Sequence, residues 1–319
     1  MNKYLNIFSF CKVIEGKENA IICDFQKKNI KYIPSSMVEV IKMLSTLPYL
    51  EVENAFSDQK EIFNSYITLL LAEKFAFFSD LRDEFIPISD IWESPQVINN
   101  AIIEYGFENY TITQAIEQLD DLNCQFLEIR FLACGKKNMA SIEEILKYCN
   151  DLVLRSLKIY LPYVSHKASL QIYHTLKKFK KLEAIVFYES DKTKANYVSQ
   201  NILFTKKNME YIRSKNFEET DLIIDFEYYR ESLQYNPYYN KKVCIDYLGN
   251  IKNCLKNELI FGNINKNSII QILKETKIKE LWHVSHDMIL GLKDDELRYS
   301  RLVSNDLRKT AEGLYEIIN

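Results

Sequence analysis

The sequence predicts an α/β protein: a small strand-and-helix domain, then a parallel sheet, then a C-terminal module opened by a β-hairpin. Three observations carry this. From Val97 to Ser214, short runs rich in β-branched and aromatic residues alternate with stretches of helical period, the pattern of βαβ units. Before them, residues 1–90 hold two strand-like runs, two amphipathic helical faces and a closing strand. After them, Val243, Ile245 and Tyr247 alternate with more polar neighbours up to Gly249-Asn250, and Ile251 resumes the alternation, which reads as a hairpin.

The N-terminal elements follow from periodicity. Ala20–Phe25 and Ile30–Ile33 are strands joined by the polar Gln26–Asn29. Pro34-Ser35-Ser36 opens a helix whose Met37, Val40, Ile41 and Leu44 share one face. A second helix starts near Ser57-Asp58 and places Ile62, Phe63, Tyr66, Leu69 and Leu70 on one side, and Phe75–Phe78 follows as a strand. Strand pair, helices and closing strand fit a winged-helix-like domain. Its second helix carries few Lys and Arg, which argues against a DNA reader.

Ile86–Pro95 holds two prolines and reads as a linker. Strands are then expected at Val97–Glu104, Phe126–Leu132, Ser156–Tyr163, Glu183–Tyr188 and Asn201–Phe204. Helices are expected at Thr113–Leu122, Ala140–Asn150, Lys167–Lys180 and Lys207–Ser214. Composition fits this frame. Of 319 residues 47% are hydrophobic and 27% charged, and the net charge of −3 gives no general attraction to nucleic acid or an anionic membrane. No signal-peptide pattern and no membrane-length apolar run is present, so the expected location is the cytoplasm. The seven cysteines are scattered without a Cys-x-x-Cys pair and read as buried thiols.

The C-terminal stretch carries more specific wording. Ile245-Asp246-Tyr247-Leu248-Gly249-Asn250-Ile251-Lys252-Asn253-Cys254 is followed by Phe261-Gly262-Asn263-Ile264. Next come an apolar helix face (Ile269, Ile270, Leu273, Ile278, Leu281, Trp282) and Lys293-Asp294-Asp295-Glu296-Leu297-Arg298-Tyr299. This order resembles the SPASM domain, the C-terminal iron–sulfur extension of many radical SAM peptide-modifying enzymes. It is more similar still to the SPASM-domain peptide maturase of grasp-with-spasm systems. The resemblance implies three segments: a leader-peptide-recognition domain over 1–90, a reduced radical-SAM-like partial (β/α) barrel over 91–235, and a degenerate SPASM-like module over 236–319.

The resemblance also implies partners, a precursor peptide and an ATP-grasp ligase, with no nucleic acid and no membrane. Recognition of the leader would proceed by strand addition to an exposed edge beside a helix. The edge would be Ile21–Phe25 or Ile30–Ile33, marked by Ile22 and Lys31, and the groove would be walled by Phe63, Tyr66 and Leu70.

The family's [4Fe–4S] ligands are largely missing. After the first barrel strand the family has Cys-x3-Cys-x2-Cys; here Tyr105–Tyr110 contains no cysteine. Four later ligand positions fall on Leu292, Asp295, Arg301 and Asn305, and Cys254 alone fits the Gly-x4-Cys part. The expectation is a protein without a cluster and without radical AdoMet chemistry, Cys254 being the remnant of a metal motif. An alternative is a peptide-modifying enzyme with an atypical iron or zinc site built from Cys254, Cys244, Asp295 and histidines. His283, His286 and Asp287 could form half of such a site, although helix-surface histidines are far commoner than ligands. A third reading is a regulatory peptide-binding module.

Overall fold

The computed structural model describes residues 3–81, 87–191, 201–214, 222–275 and 277–318. Along the chain the elements are β1 (Tyr4–Ile7), β2 (Cys11–Glu15), β3 (Ala20–Asp24), β4 (Asn29–Ile33), α1 (Ser35–Leu44), α2 (Tyr49–Ala55), α3 (Lys60–Ala72) and β5 (Ala76–Ser79). Then come β6 (Asn100–Tyr105), α4 (Ile112–Asp121), β7 (Phe126–Phe131), α5 (Lys136–Asn150), β8 (Ser156–Pro162), α6 (His166–Leu176), β9 (Leu182–Tyr188), β10 (Ile202–Phe204) and α7 (Met209–Ser214). The rest is α8 (Phe226–Ser232), β11 (Lys242–Ile245), β12 (Asn250–Lys252), β13 (Gly262–Asn263), α9 (Ile269–Lys274), β14 (Asp306–Lys309) and β15 (Tyr315–Ile318).

Two compact units emerge, and they cut across the three consecutive segments expected from sequence. One comprises Met1–Glu93, Phe217–Pro237 and Val284–Asn319; the other comprises Ser94–Asn216 and Tyr238–His283. The physical reason lies in strand pairing. β11, the first strand of the expected C-terminal module, pairs in parallel with β6, so the hairpin extends the parallel sheet. Segments 222–237 and 284–318 instead supply rings to the N-terminal strands.

In the first unit β2, β3 and β4 form an antiparallel sheet with β3 in the middle. Ala20 and Ile22 of β3 enter a core with Met37, Val40, Phe63, Ile67 and Leu70. Ile21 and Cys23 point the other way, onto Tyr229 and Tyr299 with Phe226 and Leu297 beside them. Every residue of β3 is therefore buried. α8 begins at Asp225, whose carboxylate accepts the Tyr228 N–H at 3.0 Å, an N-cap that fixes the entry of this ring-bearing helix. β1 pairs with β5, and β14 with β15, in separate two-stranded ladders.

In the second unit one open sheet runs β10-β9-β8-β7-β6-β11-β12-β13. The first six of these strands pair in parallel, and β12 and β13 close the series antiparallel. Alternate residues (Ala101, Ile103, Leu127, Ile129, Phe131, Leu157, Ile159, Leu161) are buried, matching the buried stripes of α4 and α5 on the crossovers. The β11–β12 turn is held by Asp246, whose side chain accepts the N–H groups of Leu248 at 3.0 Å and Asn250 at 2.9 Å. Gly249 takes φ +85 there, the left-handed conformation that glycine adopts without strain.

Candidate functional site

In the first unit β4 is one of the two outer strands of its sheet, the other being β2, since only β3 pairs with each. Alternate N–H and C=O groups of an outer strand face away from its partner. α3 shares the core that Ala20 and Ile22 of this sheet enter. Its end is tied to the middle of β4, with Lys31 Nζ 3.0 Å from Glu73 Oε1, and to the turn before β4, with Lys27 Nζ donating to the Glu73 carbonyl at 3.0 Å. Its middle is tied beyond the end of β4, where the Tyr66 hydroxyl meets Ser36 Oγ at 2.7 Å. Ile62, Tyr66, Leu69 and Glu73 follow one another along α3 at helical spacing. Ile62 is exposed, and Tyr66 and Leu69 are half-buried. On the opposite face of β4 Tyr32 remains 56% exposed. An open strand edge, an apolar helix flank and one charge pair thus lie side by side.

This arrangement sorts the expected residues. Lys31 is on the edge strand, and Tyr66 is on the flank. Ile22 is not on an edge: its strand is paired on both sides, because β2, which the sequence reading lacked, occupies the far side of β3. Phe63 and Leu70 are core residues, fully buried with Met37 and Val40. The helix face expected from periodicity was too broad. Its centre, Phe63-Ile67-Leu70, packs inward, and its margin, Ile62-Tyr66-Leu69, meets the surface.

The positions that the family resemblance associates with a [4Fe–4S] cluster do not fit one. The turn after β6 is filled with rings: Tyr105 lies 4.8 Å from Phe107 and 5.4 Å from Tyr110, and Phe107 stacks on Phe131 at 5.8 Å. The Tyr110 hydroxyl donates to the Glu104 carbonyl at 2.6 Å. Asp295 and Arg301, at two later ligand positions, form an ion pair with each other. Leu292 is buried. Cys254 is buried with its sulfur 3.2 Å from the Tyr238 hydroxyl, and Cys244 donates to the Asn253 carbonyl at 3.4 Å. Burial pushes the Cys244 thiol up to about 12, away from the thiolate that a metal requires.

The half metal site does not assemble either. Asp287 is taken by Arg298 at 2.7 Å and by the Tyr299 hydroxyl at 2.7 Å. His286 is fully buried, and neither ring nitrogen completes a hydrogen bond. Desolvation lowers its pKa to about 4, against a smaller upward pull from the nearby Arg298 backbone and Asp287. Among the described residues no three His, Cys, Asp or Glu side chains converge as a metal site. No described helix is long and apolar enough to cross a membrane.

Sequence reading missed a charged row on the second sheet. Glu104, Arg130 and Tyr160 are neighbours in register on β6, β7 and β8, and Glu128 and Lys158 are neighbours one step earlier. Glu104 is fully buried and receives both Arg213 Nε at 3.0 Å and Arg213 Nη2 at 2.7 Å. Arg130 Nε donates to Glu128 at 2.7 Å, and Lys158 Nζ is 3.7 Å from the same carboxylate. The signal was present in Phe126-Leu127-Glu128-Ile129-Arg130-Phe131 and Ser156-Leu157-Lys158-Ile159-Tyr160, where polar residues recur every second position inside central strands.

No known family profile matches the chain, and no curated protein matches it. Among solved structures it is similar to Streptococcus suis SuiB bound to S-adenosylmethionine, at 10% identity and a TM-score of 0.31, over 93% of this chain and 94% of that one. SuiB bound to the precursor peptide SuiA gives 10% identity, a TM-score of 0.27 and the same coverage. A further SuiB structure gives 10% identity and a TM-score of 0.31, over 92% of this chain and 94% of that one. These scores are too low to transfer a fold or an activity, and the functional reading rests on the geometry above.

Proposed function

We propose that this chain is a peptide-maturation protein that binds a ribosomally made precursor peptide by strand addition at β4. In this reading residues 1–90 are the leader-recognition domain, winged-helix-like in plan, and the chain presents the bound precursor to an ATP-grasp ligase of a grasp-with-spasm system. One observation carries the proposal. β4 is a five-residue outer strand tied to the end of α3 through Lys31 and Glu73, so an added strand would gain main-chain hydrogen bonds from the edge, with Ile62, Tyr66 and Leu69 of α3 as the candidate apolar flank. The lack of thiols in the turn after β6 supports a role without radical AdoMet chemistry.

The test is calorimetric binding of short precursor peptides encoded beside the gene. Neighbouring residues of an antiparallel strand aim their N–H groups to opposite sides. Of Ile30→Pro and Lys31→Pro, one should therefore abolish binding while the circular dichroism stays close to native. Unchanged binding in both variants, with both folded, would place recognition elsewhere, first on the Tyr-rich 228–239 stretch. For the cofactor, anaerobic reconstitution with iron and sulfide should leave the protein colourless; about four irons per chain would overturn the cluster-free reading.

A further inference from the structure

We propose that the charged row on the large sheet is a binding site for a carboxylate, held by Arg130 and Lys158 above the ring of Tyr160. The first reason is an unmet donor. Arg130 is 7% exposed, and its Nη1 has no hydrogen-bond partner; Glu104 Oε1 is 3.9 Å away, beyond hydrogen-bond reach. A buried cationic N–H without an acceptor is costly, and a ligand oxygen removes that cost. Glu104 does not close the gap: Arg213 holds both of its oxygens in place, and the one nearer Arg130 Nη1 stays 3.9 Å away.

Charge and shape narrow the ligand. Within the ion-paired set, Arg130, Lys158 and Arg213 outnumber Glu104 and Glu128 by one positive charge. A monoanion neutralises that surplus, whereas a phosphate dianion exceeds it. The planar guanidinium offers a fork that matches a carboxylate. The Tyr160 ring centre lies 5.4 Å from the Arg130 guanidinium carbon and 4.8 Å from Lys158 Nζ, so one ring adjoins both cations.

Position and access agree. Glu104, Arg130 and Tyr160 sit in the C-terminal halves of adjacent parallel strands, the end at which open α/β sheets take ligands. The Lys158 side chain is 37% exposed and that of Arg213 31%, so the row reaches solvent at these two residues while Glu104 and Arg130 are buried. The site is independent of the β4 edge, and variants at Lys31 or Glu73 leave it unchanged.

The experiment follows arginine Nε–Hε resonances of the full chain while sodium propionate replaces sodium chloride at constant ionic strength. Arg130→Lys identifies the Arg130 signal. That signal should shift saturably, with a Kd on the order of millimolar. Lys158→Gln should weaken binding about fivefold or more, and Lys147→Gln, exposed on α5, should not. Should Arg130→Lys fail to fold, the Lys158→Gln comparison on the wild-type arginine spectrum decides. A linear, unsaturating shift, equal affinity in Lys158→Gln, or tighter binding of inorganic phosphate than of propionate would each overturn the proposal. Tighter binding of N-acetyl-glutamate amide than of propionate assigns the carboxylate to a peptide side chain, and equal binding assigns it to a free small acid; both support the site.

Discussion

The two main sheets leave their polar groups unsatisfied in opposite ways. The three-stranded sheet buries its central strand on both faces, so its reactive part is the backbone along the outer strand β4. The eight-stranded sheet ends in short strands, β10 with three residues and β13 with two, so it offers little edge. It offers instead a row of charged side chains across its middle. A backbone edge recognises an extended chain with little regard to sequence, whereas a side-chain row recognises a defined functional group. The two proposals therefore draw on different groups: the backbone of an outer strand in one sheet and a row of side chains in the other.

The difference between central and outer strand is open to the most drastic test. Ile22→Pro removes a ladder hydrogen bond from a strand paired on both sides and empties a core position, so it should cost on the order of 3 kcal/mol or more. Proline on β4 with its N–H outward should cost much less, because no partner strand loses a bond. Urea unfolding of the two variants measures the contrast, and equal losses would mean that β4 is also an inner strand in solution.

A second large effect belongs to the first unit through His286. Its folded pKa of about 4 lies below the unfolded value of 6.5, so the unfolded chain takes up the proton first as pH falls. Stability from this group is intact above about pH 6.5 and is lost progressively down to about pH 4, by roughly 3 kcal/mol at most. Urea midpoints between these limits should fall in the wild type and fall less in His286→Phe. Matching slopes would assign the acid sensitivity to other groups.

Much of this architecture could be read from the sequence, for definite reasons. The strands and helices between Asn100 and Ser214 lie close to their expected places; most are long enough to show their period, and the short β10 and α7 continue the same strand–helix alternation. The β11–β12 hairpin was equally legible from Gly249-Asn250. β1, β2 and α2 were missed: they are short, and Lys12 and Asn6 interrupt their neighbours' apolar pattern. Periodicity gave the apolar face of α3 but not its phase, and that separates buried Phe63 and Leu70 from surface Ile62 and Tyr66. The Glu104–Arg130–Tyr160 row depends on register between strands, which no single strand's sequence encodes. The pairing of Asp295 with Arg301 is legible only once the fold brings them together.

A smaller effect is expected at the hairpin that joins the large sheet. A Cβ at Gly249 would sit 3.1 Å from Ile264 Cγ2 and 3.3 Å from Tyr110 Cδ1, in a left-handed conformation. Gly249→Val should therefore cost about 1–3 kcal/mol. Cys254→Ser replaces a buried thiol with a hydroxyl of similar size and should cost the same or less. Thermal unfolding compares them. If Cys254→Ser instead unfolded the second unit while Gly249→Val did nothing, Cys254 would be acting as a metal ligand.

The smallest stability change is expected at the pair beside the peptide edge, and it sharpens the contrast between the sheets most. The Lys31 and Glu73 side chains are 43% and 36% exposed, so water already screens their attraction. Glu73→Gln should shift stability by no more than about 0.5–1 kcal/mol. The same side chain ties the end of α3 to β4, and in the proposed binding mode that tie holds the helix flank beside the strand edge. Loosening it should change peptide affinity by more than it changes stability, because the added strand must contact β4 and the Tyr66 flank together. Calorimetry on Glu73→Gln and Lys31→Met, beside urea curves for both, provides the comparison. Equal losses in the two measurements would reduce the pair to a surface ion pair. An affinity loss with unchanged urea midpoints would place it in the wall of the peptide site, while propionate binding at Arg130 stays as in the wild type.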